Sequence, residues 1–210
     1  MQTINLNGEW QFRQVGQDAW QPATVPGCVH TDLLAAGEIP DPYYRDNEHE
    51  LLWIGETNWE YQRSFQVDEE MLARERVLLR CAGLDTLATI WVNGQEVGRT
   101  ANQFRSYEFD LKSVLRAGEN DIRIRFDSAL NYGQARLAER YIHSWSTEDH
   151  KLPGGNYVRK SQCNFGWDWG PQLVTCGIWR DIELLAFDGA RLGPVQVLQA
   201  HGTDEVGLTL

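Results

Sequence analysis

The sequence predicts a mainly β protein, an antiparallel sandwich or jelly roll with one or two short helices and long loops. Three observations carry that expectation. Many short runs alternate apolar and polar residues, as half-buried strands do. Turn residues punctuate those runs at close intervals, and helical patterning is scarce.

Taken in order, residues 6–13 supply an early strand that directs Trp10 and Phe12 to one side. Thr31 is the expected cap of a short helix over residues 30–36, with Gly37 ending it. Residues 58–67 alternate throughout: Trp59, Tyr61, Arg63, Phe65 and Val67 share one face, which only Arg63 interrupts. Residues 76–82 form a further strand. Residues 88–92 and 95–98 flank Asn93-Gly94, the strongest short hairpin signal, because a type I′ turn needs positive φ at both central positions. Residues 107–110, 121–126 and 178–186 continue the strand pattern, and residues 111–116 form one turn closed by Gly118. The one longer helix is expected over residues 129–143, weakened by Gly133.

Composition removes several function classes. The 210 residues include 19 Lys and Arg against 30 Asp and Glu, a net charge of −11. Phosphate neutralisation needs clustered cations, so nucleic acid and anionic membrane surfaces are poor partners. With 42% hydrophobic and 23% charged residues the chain reads as an ordinary folded protein. No run approaches a transmembrane span, and residues 1–6 lack a signal-peptide pattern, so the expected location is cytoplasmic. Cys28, Cys81, Cys163 and Cys176 make no C-x-x-C pair; a disulfide framework is not expected, with Cys163–Cys176 left open. His143 and His150 have no metal-ligand spacing, and neither metal nor cofactor is expected. The alternation at residues 205–210 stops without a turn, which suggests a piece of a longer chain. A break at residues 188–194 places a domain boundary near residue 189, giving domains 1–188 and 189–210.

Two long irregular stretches, residues 37–57 and 144–176, hold the candidate chemistry. No Ser-His-Asp, P-loop, GxGxxG or HExxH pattern occurs, and none of the carboxylates is singled out as half of a glycosidase pair. The loop Asn164-Phe165-Gly166-Trp167-Asp168-Trp169-Gly170-Pro171 places one carboxylate between two indoles. That combination suits a sugar, which needs an apolar platform and an acceptor for vicinal hydroxyls. It equally suits a plug at the end of a sandwich. The loop Pro40-Asp41-Pro42-Tyr43-Tyr44-Arg45-Asp46-Asn47-Glu48 offers aromatics, an Arg and an amide, or simply a solvated turn.

Several segments together resemble the β-mannosidases of glycoside hydrolase family 2. They include Val25-Pro26-Gly27-Cys28-Val29-His30-Thr31-Asp32-Leu33, Asp41 through Glu48, and Trp59-Glu60-Tyr61. Gly83-Leu84-Asp85-Thr86, Ile90-Trp91-Val92-Asn93-Gly94, Gly118-Glu119-Asn120 and Gly177-Ile178-Trp179-Arg180-Asp181-Ile182 resemble the family's N-terminal domain more generally. Arg159-Lys160-Ser161-Gln162-Cys163, running on to Pro171, is the part most similar to β-mannosidases. The resemblance covers about residues 5–188.

It implies a galactose-binding-domain-like jelly roll, then an immunoglobulin-like domain beginning within residues 189–210, then a catalytic barrel. It implies retaining hydrolysis of terminal β-mannosyl residues by two Glu on that barrel. No catalytic residue is therefore expected in this chain, which alone should be inactive. The implied partners are a β-mannoside or manno-oligosaccharide substrate and the barrel of the same protein. The implied substrate-binding residues are Trp167 and Asp168, with Asn47 as a lesser candidate. Two alternatives remain: an autonomous carbohydrate-binding module, and a purely structural scaffold. Of the nine Trp, the strand residues Trp10, Trp59, Trp91 and Trp179 belong to the sheets on this reading. Trp20, Trp53 and Trp145 are undecided, Trp167 meets the sugar, and Trp169 supports it.

Overall fold

The computed structural model describes residues 1–143, 151–193 and 195–209. Along the chain, β1 (Gln2–Asn5), β2 (Gly8–Gln14) and β3 (Gln21–Val25) precede helices α1 (Val29–Ala35) and α2 (Leu52–Glu56). Strand β4 (Trp59–Val67) leads through α3 (Glu69–Ala73) to β5 (Arg76–Cys81), β6 (Leu84–Asp85) and β7 (Leu87–Val92). Then come β8 (Gln95–Ala101), β9 (Tyr107–Asp110), β10 (Gly118–Asp127) and helix α4 (Ala129–Glu139). The last strands are β11 (Gly177–Ile178), β12 (Ile182–Phe187), β13 (Leu198–His201) and β14 (Val206–Thr209).

Two antiparallel sheets make the sandwich, in the orders β1-β12-β5-β9 and β3-β2-β4-β10-β7-β8. The period-2 alternation delivers their inner faces to one core. Trp10, Phe12, Trp59, Tyr61, Ile122, Ile124, Phe126 and Ile90 come from the larger sheet, and Val77, Leu79, Ile182 and Leu184 from the smaller. Register sets these side chains opposite one another: Ile124 of β10 pairs with Tyr61 of β4 and with Ile90 of β7. Phe12, Trp59, Tyr61 and Phe126 form a ring cluster with centroids 5.7–5.9 Å apart. Each such side chain removed from water contributes about 1.5–3 kcal/mol. Their polar ends are partnered, since Trp10 Nε1 donates to Leu6 O and Trp59 Nε1 to Ile54 O.

Several expectations hold in detail. Asn93 (φ 51°) and Gly94 (φ 77°) form the β7–β8 turn with the positive φ values a type I′ hairpin requires. Arg63 sits among apolar neighbours because its Nη1 donates to the carbonyls of Leu6 and Asn7, both at 2.7 Å. Gly118 turns into β10 at φ 87°.

Others need correction. The described residues carry four short α-helices, not one or two, and β1 was not foreseen. Cys28, not Thr31, is the N-cap of α1; the Thr31 hydroxyl reaches back, accepting from the Cys28 N–H and donating to its carbonyl. Residues 37–57 are not wholly irregular, because a 3-10 turn (Asn47–Leu51) runs into α2. Residues 178–186 split into β11 and β12, which belong to different sheets. All four cysteines are free, so Cys163 and Cys176 do not pair.

Helix α4 ends at Glu139, and its cap Ser128 accepts from the Asn131 N–H. Ala129 and Leu130 pack with Val158, Phe165 and Val174 in a second, smaller core that anchors the long loop. Gly133 is a contact rather than a defect. A Cβ there would lie 2.3 Å from the Gly154 carbonyl oxygen. Gly-to-Ala in a helix interior ordinarily stabilises by about 0.5–1 kcal/mol. Gly133→Ala should instead destabilise by about 1–3 kcal/mol in urea unfolding, because the neighbouring backbone must move. A stabilised variant would refute this close approach.

Candidate functional site

The long loop reaches its final shape through a chain of anchors. Residue 159 forms a parallel bridge with residue 102, and the Gln103 N–H donates to the Arg159 carbonyl at 2.9 Å. The Gln103 side chain then accepts from the Ser161 N–H at 2.7 Å. Between these ties Lys160 enters the interior, fully buried, and pairs with the buried Asp85 carboxylate. Thr175 bonds both partners, accepting from Lys160 Nζ at 3.0 Å and donating to Asp85 Oδ2 at 2.7 Å. The Thr86 hydroxyl donates to the other Asp85 oxygen. The short β6–β11 ladder, Gly177 opposite Asp85, brings these segments side by side.

The segment ahead of the indoles is fixed by Phe165, which is fully buried while its carbonyl accepts from the Leu152 N–H at 2.7 Å. Gly166 follows at φ 104°, a conformation that side chains oppose. Trp167 and Gly170 then exchange backbone hydrogen bonds of 3.2 and 3.4 Å around Asp168 and Trp169. This tight turn holds the two indoles 6.1 Å apart at 56°. Trp167 is half-buried, whereas Trp169 is 81% exposed and Asp168 exposed. The larger free surface therefore lies on Trp169.

The other rich loop meets this one directly. Glu48 Oε2 accepts from the Gln172 N–H at 2.8 Å. A cavity of about 360 Å³ lies where they join, lined among others by Tyr43, Arg45, Glu48, His49, Trp167 and Asp168. Aromatic faces, two carboxylates and a guanidinium thus converge on one hollow of the size small ligands occupy. Asn47 does not line it. Its amide nitrogen donates to the Asp41 carbonyl at 2.9 Å and shapes the loop carrying Arg45 and Glu48. Glu48, His49 and Gln172 went unrecognised as wall residues, and no local signal distinguishes them from ordinary loop residues.

The remaining indoles fall into place. Trp91 and Trp20 are half-buried beneath the guanidinium groups of Arg123 and Arg13, at 5.0 and 4.2 Å. Trp179 Nε1 donates to the Gln103 carbonyl, and Trp53 packs on Trp59. Trp145 and His150 lie outside the described residues. Among the described residues no group of three or more His, Cys, Asp or Glu side chains is arranged to hold a metal.

A two-sheet antiparallel sandwich with its polar and aromatic loops gathered at one hollow defines a galactose-binding-like domain. The chain belongs to the glycosyl hydrolase 2 galactose-binding domain-like family, whose model matches residues 10–180. It is 38% identical over 196 residues to a β-mannosidase of Bos taurus, an alignment covering 90% of this chain and 22% of that protein. It is 37% identical to β-mannosidase A of Emericella nidulans, over 90% of this chain and 20% of that one. The crystal structure of a β-D-mannosidase from Dictyoglomus thermophilum matches with a TM-score of 0.90 at 38% identity, covering 98% of this chain and 25% of the other. The chain thus spans about a fifth to a quarter of the length of these relatives.

Two stability measurements test the anchor. Lys160→Met should cost about 3–5 kcal/mol in urea unfolding, because it strands the Asp85 carboxylate in the interior. His30, buried beside this pair, has its pKa lowered from 6.5 to about 4, by burial first and Lys160 second, with Asp85 opposing. The folded imidazole thus stays neutral while the unfolded one binds a proton. Its contribution is present above pH 6.5 and is lost as pH falls toward 4, for a change of about 3 kcal/mol. Asp32, raised by burial, acts in the opposite sense. Comparing urea unfolding of His30→Gln with the parent at pH 7 and pH 5 isolates the His30 part; parallel pH profiles would remove it.

Proposed function

We propose that the chain is the N-terminal domain of a retaining, exo-acting β-mannosidase and forms part of the pocket for the terminal β-mannosyl residue. The observation that carries this reading is the convergence of Trp167, Asp168, Arg45 and Glu48 on one hollow, in a chain 38% identical to proteins named β-mannosidase. On this reading the Trp167 ring covers an apolar C–H face of the pyranose, and Asp168 accepts hydrogen bonds from two vicinal hydroxyls. Arg45 and Glu48 close the far wall, and Asn47 holds their loop in position. The reacting carboxylates belong to a barrel elsewhere in the protein, so this domain binds and orients substrate without touching the glycosidic bond. Residues 189–210 begin the following immunoglobulin-like domain. The β13–β14 hairpin supports that assignment, since among the described residues it pairs only with itself.

Bonds from Asp168 that tighten as the ring flattens would contribute mainly to kcat. In a longer protein containing this chain, Asp168→Ala should lower kcat/KM for an aryl β-mannoside by roughly 10²–10⁴-fold. Unchanged kinetics would remove Asp168 from the pocket. The 210-residue chain alone should release no aryl alcohol from the same substrate. In calorimetric titration it should bind mannose very weakly or not at all; firm binding by the isolated chain favours an autonomous carbohydrate-binding module instead.

A further inference from the structure

Trp167, Trp169, Gly170 and Pro171 line two hollows at once: the cavity of about 360 Å³ described above and a second of about 330 Å³. A turn bordered by two open spaces has little packing to fix it, so its ties to other segments set its position. Upstream, Phe165 is buried in the second core. Downstream, a tie comes from the other loop: Glu48 Oε2 accepts from the Gln172 N–H at 2.8 Å, two residues beyond Gly170. A carboxylate acceptor makes such a bond stronger than a neutral one does. Glu48 itself has a firm base. It lies in the 3-10 turn Asn47–Leu51, whose Leu51 is buried in the main core. The Asn47 amide holds that turn to the Asp41 carbonyl, and the His49 N–H donates to the Asp46 carbonyl at 3.1 Å. The bond to Gln172 thus joins the turn of the indoles to the main core, while Phe165 joins it to the second.

We propose that Glu48 is a positioning residue for β-mannoside hydrolysis: through the Gln172 N–H it fixes the turn so that Asp168 meets the sugar hydroxyls. The role rests on the reading above, in which Asp168 binds the terminal mannosyl residue. Asp168 is the group most sensitive to a displaced turn, because hydrogen bonds weaken steeply with angle. Glu48 also lines the first hollow, so a direct bond to the sugar is the competing role. The two roles differ in one respect. A residue that touches the sugar contributes whether or not Asp168 is present, whereas a latch contributes mainly through Asp168.

The experiment is a double-mutant cycle in a longer protein containing this chain, with an aryl β-mannoside as substrate. Glu48→Ala should lower kcat/KM by roughly 10- to 100-fold, mainly in kcat, because the misplaced bonds are those that tighten in the transition state. Glu48→Gln, whose amide oxygen still accepts from the Gln172 N–H, should recover all but about threefold of that loss. In the Asp168→Ala background, Glu48→Ala should cost no more than about threefold further. Hydrogen exchange across residues 166–172 should be faster in Glu48→Ala than in Glu48→Gln, which records the loosened turn without any substrate. Equal losses from Glu48→Ala in the two backgrounds overturn the proposal, as does unchanged exchange across the turn. A Glu48→Gln variant as impaired as Glu48→Ala has the same consequence, since charge rather than an acceptor would then be what matters. If Asp168→Ala alone leaves the kinetics unchanged, the reading of the hollow fails and this role for Glu48 goes with it. Where Asp168→Ala is impaired but the two losses add, the function stands and only the role of Glu48 falls.

Discussion

The Lys160–Asp85 pair joins the two halves of the molecule that matter most to each other. Asp85 lies on a short strand beside the sandwich, and Lys160 lies in the long loop that presents Trp167 and Asp168. Both are buried, so neither charge is tolerated alone. Thr86 and Thr175 complete the carboxylate's bonds, which makes the cluster a satisfied network rather than an isolated pair. A hydrophobic contact at the same place could slide. This one fixes a single arrangement, and everything downstream in the loop inherits that position.

The second core has the same purpose by other means. Phe165 drives into the space between helix α4 and Val174, and the turn of Trp167 to Gly170 begins two residues later. Trp169, 81% exposed, is therefore held in place by the backbone of its turn rather than by packing of its own. The aromatic excess divides accordingly. Trp10 and Trp59 are interior, Trp20 and Trp91 lie under arginines, and Trp169 is held out toward solvent by its backbone. Two cavities of different polarity share the Trp167–Trp169 wall, one with carboxylates and a guanidinium, the other uncharged.

Strand alternation made the sandwich legible without any structure. Residues 59–67 show why: nine residues with one interruption define a face, and the interrupting Arg63 is tolerated because two carbonyls lie within reach. Asn93-Gly94 was legible for an equally local reason, since its backbone angles depend on little beyond its own side chains. Strand β1 was not, because four residues of weak alternation become a strand only when β12 offers an edge. The helix cap at Cys28 escaped notice because Thr31 has the side chain of a cap but stands at the third helical position. Gly133 read as a weakness for want of its neighbour, Gly154.

The candidate site was half visible in the same way. Trp167 and Asp168 stand out as residue types packed between glycines, and the resemblance to the family's motifs implies a role for them. Lys160 and Asp85 each fall within a recognisable motif, yet 75 positions separate them and nothing local to either names the other. The wall formed by Glu48 and His49 depends likewise on a loop more than a hundred residues away. The sequence by itself determined the sandwich, its principal hairpin and the loop that bears the indoles, because alternation and turn chemistry act over a few neighbouring residues. Only the tertiary structure decided which charges are buried together, which indole is exposed and that two hollows flank one turn. Those depend on contacts between distant segments, and such contacts leave no periodic trace in the chain.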